Sequence, residues 1–227
     1  MQDPLFVRRL FSTIAKRYDF ANHLLSGGLD YTWRARVVQI VRSWKSTRIL
    51  DLATGSGDLA LALKQACPHA QIIATDFCQG MLLQAKRKGL TQLVNGDGTR
   101  LPFHSDVFDV VTVAFGLRNM ASWSIALNEM ARVLIPNGKL LVLDFSLPSM
   151  GWLRTLYRIY LHHFLPTIAA WATGNREAYR YLGQSIEQFP HGRAMLDILE
   201  ANGFQEAQVR PLCFGIVSLY IAQRRSH

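Results

Sequence analysis

The sequence predicts an α/β fold of the Rossmann-like type, a mostly parallel seven-stranded sheet with helices on both faces and an antiparallel C-terminal strand. Three observations carry that expectation. From Arg48 onward short apolar runs alternate with helical segments, the pattern of βαβ units around a parallel sheet. The first run empties into a glycine-rich turn, Gly55-Ser56-Gly57, that opens a helix. Three acids, Asp51, Asp76 and Asp97, stand at or just beyond the ends of three consecutive runs, where such sheets bind ligands.

Taken in order, Leu5, Phe6, Leu10 and Ile14 recur near helical spacing, and a second helix is expected from Tyr31 to Trp44. Between them Asp19 to Gly28, with Asn22, Ser26, Gly27 and Gly28, reads as a loop. Strands are expected over Arg48 to Ala53, Gln71 to Thr75, Gln92 to Asn95, Val107 to Phe115 and Lys139 to Phe145. Helices fill the gaps at Asp58 to Ala66, Gln79 to Lys88 and Trp123 to Leu134, the last stopped by Pro136-Asn137-Gly138. Beyond Pro148 come a long aromatic and basic segment, Trp152 to Trp171, and shorter helices near Tyr179 to Gln188 and Gly192 to Ala201. Strands near Gln208 to Phe214 and Val217 to Gln223 close the sheet as an antiparallel pair across Gly215. No repeat or low-complexity linker divides the 227 residues, so one domain is expected: helices over the site (1–46), the binding core (47–147), a helical insertion or lid (148–207) and closing strands (208–227).

Composition narrows the function classes. With 49% apolar and 18% charged residues the chain is not disordered. A net charge of +9 favours acidic partners such as nucleic acid or an anionic membrane. Cys67, Cys78 and Cys213 lack ligand-like spacing, so neither a disulfide framework nor a metal site is expected. The start of the chain lacks a secretion-signal layout, and Arg154, Arg158, His162 and His163 interrupt the most apolar stretch, which excludes a span there. A cytoplasmic protein is expected.

The glycine turn fits two ligands. Gly55-Ser56-Gly57-Asp58-Leu59-Ala60 matches the dinucleotide fingerprint, yet Asp51 and Asp58 flank the turn and would repel a pyrophosphate. S-adenosylmethionine has no phosphate and carries ammonium and sulfonium cations, so acidic surroundings suit it. The sign of the charge therefore favours a class I methyltransferase using this donor. Asp76, about 20 residues beyond Gly55, is expected to accept from both ribose hydroxyls. Asp97 is expected to take the adenine amine, and Gly98 to bring a backbone amide to the ring.

Longer motifs carry a resemblance. Tyr18-Asp19-Phe20-Ala21-Asn22-His23-Leu24-Leu25-Ser26, Phe115-Gly116-Leu117-Arg118-Asn119, Arg132 to Gly138, Leu143 to Pro148 and Tyr179 to Ile186 are the main ones. Over nearly its whole length the chain resembles the ubiquinone/menaquinone biosynthesis C-methyltransferases, most closely the bacterial demethylmenaquinone branch. The resemblance implies methylation of a ring carbon of a prenylated hydroquinone, with donor contacts from Ser56, Asp76, Asp97 and Gly98. Ser56 stands where the family usually has threonine, and Ala114 where it has a contacting serine.

A ring carbon attacks methyl only when the neighbouring hydroxyl is made phenolate-like. Arg118, permanently charged, is the candidate to stabilise that oxyanion. Asn119 is expected to orient the ring oxygen, and Tyr18 to pass a proton through water. Expected partners are a long-tailed quinol and the inner face of an anionic membrane, with a homodimer admissible. Arg154, Arg158 and His162 form one face of the aromatic segment, and Leu153, Leu156, Tyr160 and Phe164 the other, as in a helix lying on a bilayer or packed on the sheet. The competing readings are a ubiquinone-precursor enzyme, an RNA methyltransferase suggested by the charge, and a donor-binding scaffold. Dispersed basic residues argue against RNA, and retention of Tyr18 and the Phe115 to Asn119 motif against a scaffold.

Overall fold

The structure, a computed structural model, describes residues 26–165 and 176–226 together with Phe6 and Arg9. The first expected helix (apart from Phe6 and Arg9), Tyr18 with most of the loop after it, and the end of the aromatic segment lie outside the described residues. The helix α1 (Leu29–Ser43) precedes β1 (Arg48–Leu52), α2 (Asp58–Ala66), β2 (Gln71–Asp76), α3 (Gln79–Arg87) and β3 (Leu93–Asn95). Next come β4 (Phe108–Ala114), a 3-10 turn (Leu117–Asn119), α4 (Trp123–Val133) and β5 (Leu134–Phe145). The chain ends with α5 (Gly151–Ile159), a π-helical turn (Tyr160–Phe164), α6 (Arg176–Gln188), α7 (Arg193–Ala201), β6 (Phe204–Leu212) and β7 (Val217–Arg224).

Among the described residues these strands form one seven-stranded sheet, ordered β3-β2-β1-β4-β5-β7-β6. β1 to β5 run parallel, whereas β7 is antiparallel to both β5 and β6. The predicted class therefore holds, with β7 the strand that reverses against both of its neighbours.

Strand periodicity builds the layers. Ile49 of β1, Val110 of β4 and Leu141 of β5 pack on one face against Trp33, Val37 and Val41 of α1 and Leu59 and Leu63 of α2. Their neighbours Leu50, Val111 and Leu140 pack on the other against Ala126, Leu127 and Met130 of α4 and Leu199 of α7. Strands covered on both faces carry continuous apolar runs, which is why they were legible.

The largest differences from the expected bounds are three. β5 starts at Leu134, not Lys139, because the backbone is already extended at the end of α4 and Pro136-Asn137-Gly138 is absorbed as a register shift. β6 starts at Phe204, not Gln208, because the shift between Gln205 and Gln208, with Glu206 at φ 52, breaks its alternation. The aromatic segment forms α5 and then the π-helical turn, whose Tyr157, Leu161 and Leu165 are the buried side. Of the expected apolar row, Leu153 and Tyr160 are half-buried, Tyr160 against that buried side, whereas Leu156 and Phe164 are exposed, as are Trp152 and Ile159. The basic side is engaged within the protein instead, Arg158 and His162 both pairing with Glu187 of α6.

Candidate active site

The sheet order reverses beside β1, and a cleft with about 1010 Å³ of open space lies at the carboxyl ends of the parallel strands. It is lined by the turn after β1, the ends of β2 and β4, the loop after β3 and Asn119.

Asp51 sits where β1 ends, almost fully buried, and accepts from the hydroxyls of Thr54 at 2.6 Å and Thr112 at 2.7 Å. Asp76 ends β2 and accepts from the Gly55 amide at 2.9 Å and the Cys78 amide at 2.8 Å. One carboxylate thus pins the glycine turn to the next strand while each oxygen keeps a lone pair for a ligand hydroxyl. Burial pushes both acids up to about 6, against the opposing pull of those hydroxyls and amides. Asp97, more exposed, accepts from the amide and hydroxyl of Thr99, both at 2.8 Å, which turns the chain so that Gly98 lines the cleft. A Cβ on Gly98 would stand 2.9 Å from Met120 Sδ, so this wall is closed by a sulfur and left flat by the missing side chain. Ser56 is buried in the same wall.

Three site expectations need correction. Gly57 does not line the cleft; it faces away, where a Cβ would meet Leu90 Cδ1 at 2.5 Å. Asp58 pairs with Lys88 at 2.5 Å, so the charge argument against a pyrophosphate rests on Asp51 and Asp76. Arg118 is absent from the cleft wall: its guanidinium is buried, donating to Asp144 Oδ1 and the Phe115 carbonyl, both at 2.7 Å, with the Phe145 ring 5.2 Å away. Arg118 and Asp144 are neighbours only through the pairing of β4 with β5, which no local spacing reveals.

Asn119 reaches the cleft where Arg118 does not. Its Nδ2 donates to the Phe115 carbonyl at 3.3 Å, and its Oδ1 accepts from the Tyr181 hydroxyl of α6 at 3.1 Å. Sequence reasoning missed Arg34, Phe77, Met81 and Met120, all of which line the cleft. Phe77 had one available signal, its place directly after the strand-ending acid. The others arrive through tertiary packing.

A nucleoside carrying cations and no phosphate fits this wall, with its buried strand-end acids and flat glycine floor. This sheet order and site define the class I S-adenosylmethionine-dependent methyltransferases. Solved structures agree on the fold: a possible histamine N-methyltransferase from Thermotoga maritima superimposes with TM-score 0.68 at 16% identity, over 96% of this chain and 99% of that one. Human N-acetylserotonin methyltransferase in complex with S-adenosylmethionine gives 0.63 at 18% identity, over 96% and 59%.

The profile of the ubiE/COQ5 methyltransferase family matches residues 2–224, and the chain belongs to that family. Demethylmenaquinone methyltransferase from Thermus thermophilus is 43% identical over 95% of this chain and all of its own. The enzyme of that name from Deinococcus radiodurans is 40% identical over 96% and 92%. A ubiquinone/menaquinone biosynthesis C-methyltransferase from Syntrophotalea carbinolica is 41% identical over 94% and 92%.

Proposed function

We propose that this enzyme transfers the methyl group of S-adenosylmethionine to a ring carbon of a prenylated hydroquinone, demethylmenaquinol giving menaquinol. Full-length similarity to relatives named demethylmenaquinone methyltransferase carries the reading of the acceptor. A ubiquinone precursor is the second reading, favoured by the joint name of the Syntrophotalea relative.

When bound, the donor supplies a methyl group on a sulfonium centre. Asp76 holds the ribose, Asp97 and Gly98 the adenine, and Ser56 and the Gly55 turn the amino-acid end. Asp51 sets a negative potential that favours the cation over a neutral ligand. Asn119, hydrogen-bonded to Tyr181, orients the acceptor oxygen at the cleft. Arg118 is a positioning residue: its pair with Asp144 fixes the turn that carries Asn119. Tyr18 passes the proton through water. Holding sulfur, methyl and carbon in line removes about 7 kcal/mol or more of entropic barrier, so much of the rate comes from alignment.

The exposed row Trp152, Leu156, Ile159 and Phe164, with Phe214, supports a membrane face that admits the quinol tail. No described helix is long and apolar enough to cross a membrane. The test incubates the purified protein with labelled donor and a panel of demethylated menaquinols, ubiquinone precursors and tRNA. Label on demethylmenaquinol is the expected result; label on RNA alone overturns the assignment.

A further inference from the structure

Four acids line the cleft, Asp51, Asp58, Asp76 and Asp97, and among the described lining residues only one cation, Arg34 of α1, faces them. The donor is not uniformly cationic: its amino-acid end carries a carboxylate, which a wall of acids alone would repel. We infer that Arg34 is the binding residue for the α-carboxylate of the donor, and that α1 thereby forms one wall of the amino-acid subsite. The inference rests on the donor reading above and deepens it.

The geometry is that of a prepared fork. One guanidinium nitrogen of Arg34 is tied to Asp30, one helical turn earlier, and Asp30 also accepts from Ser26 at 2.8 Å. The second terminal nitrogen lies 3.7 Å from Asp58 Oδ2, beyond a normal hydrogen bond, because Lys88 holds Asp58 at 2.5 Å. Lys88 and Asp30 thus balance the local charges, and the outer side of the guanidinium keeps donors for an incoming carboxylate. The guanidinium carbon lies 5.9 Å from the centroid of the Phe115 ring, itself part of the cleft wall, so the side chain runs along the cavity. The side chain is only 11% exposed, which strengthens a charge-assisted contact relative to one in open water. Among the described acids, Asp51 feels Arg34 as an attractive charge, so the same guanidinium stands near the place where the ammonium would meet its acid.

The experiment titrates the full chain by calorimetry with two probes, S-adenosylhomocysteine and 5′-methylthioadenosine, which lacks the amino-acid end. Arg34→Gln is expected to weaken S-adenosylhomocysteine about 10- to 100-fold and to leave methylthioadenosine within about 3-fold, with Arg34→Lys in between. Equal losses for both probes, or no loss for either, overturn the inference, the first by making Arg34 a structural residue. A change confined to acceptor turnover overturns it as well. Should Arg34→Gln fail to fold, wild type and Arg34→Lys are compared with decarboxylated S-adenosylhomocysteine. Removing the carboxylate is then expected to cost wild type more than the lysine variant, and equal costs overturn the inference. Failure of wild type to bind S-adenosylhomocysteine at all sinks the donor reading, a distinct result.

Discussion

Asp51 works against the stability of the ligand-free fold. Its carboxyl is raised from 3.8 to about 6 by burial, a shift of roughly 2 pH units or about 3 kcal/mol at most. The folded chain therefore keeps a proton between those values that the unfolded chain has released. The group's contribution is greatest below pH 4 and is lost as pH rises through 6. Asp51→Asn is expected to raise stability at pH 7 by roughly 1 to 3 kcal/mol, because the Thr54 and Thr112 hydroxyls can rotate to accept from an amide. Urea unfolding at pH 5 and 7 reads it; a variant less stable at both, with the same pH slope, contradicts the argument. On the proposed donor site the same substitution is expected to weaken donor binding, so stability and function would pull apart at this residue. The reverse holds at Arg118. Asp144→Ala would strand a buried guanidinium, costing about 3 to 5 kcal/mol, whereas Arg118→Met with Asp144→Leu removes both charges and restores most of that loss. Turnover is expected to stay low in the double variant while S-adenosylhomocysteine affinity stays near wild type. Recovery of turnover would show that the pair only supports the fold.

The turn between β1 and α2 and the loop after β3 put glycine to different uses. Gly57 has φ 87 and a Cβ there would press on Leu90 Cδ1 at 2.5 Å and Ala85 Cβ at 3.0 Å, so Gly57→Ala is expected to cost about 2 to 4 kcal/mol by prying α2 from α3. Gly98→Ala meets chiefly the flexible end of Met120, so it is expected to cost about 1 kcal/mol or less in stability yet to weaken adenosine at least 10-fold. Thermal unfolding and adenosine titration of both variants check the contrast; equal stability losses would refute it. Elements of this kind were readable where one period dominates. α2 falls at its expected bounds because a glycine turn and a 3.6-residue apolar repeat agree, and β1 starts where expected and ends one residue early, at Leu52, its apolar run legible because both of its faces are covered. The bulge in β6 was hidden, since the backbone at Glu206 departs from its strand without any glycine or proline to mark it. The acids of the site were readable because strand ends are local features. Arg34 and Asp144 were not, because α1 must fold onto the sheet before Arg34 reaches the cleft, and β5 must pair with β4 before Asp144 meets Arg118.

At the scale of the molecule, the proposed membrane face sets two attractive forces side by side, and their sizes can be compared. The net charge of +9 attracts anionic lipid, at about 1 kcal/mol for each basic residue close to the surface. On the α5 face, however, Glu187 pairs with both Arg158 and His162, so the charge left there is chiefly that of Arg154, whose Nε donates to the neutral Pro148 carbonyl. The apolar row outweighs charge locally: Trp152 is 65% exposed, Phe164 57% and Phe214 78%, and transferring each ring out of water yields on the order of 1 to 2 kcal/mol. Gly215 lies against Pro148 and Ser149, which brings the chain next to Phe214 close to the start of α5. Replacing Trp152 and Phe164 together by Ser is therefore expected to reduce partition onto vesicles containing phosphatidylglycerol by at least 10-fold, more than raising salt from about 0.1 to 0.5 M does. Both residues are exposed, so the fold and the affinity for S-adenosylhomocysteine should be unchanged. The apparent KM should rise for a long-tailed acceptor presented in vesicles and hold for a short-tailed, water-soluble one. If salt alone strips the wild-type protein from the vesicles while the double variant partitions normally, dispersed charge and not this helix face makes the contact.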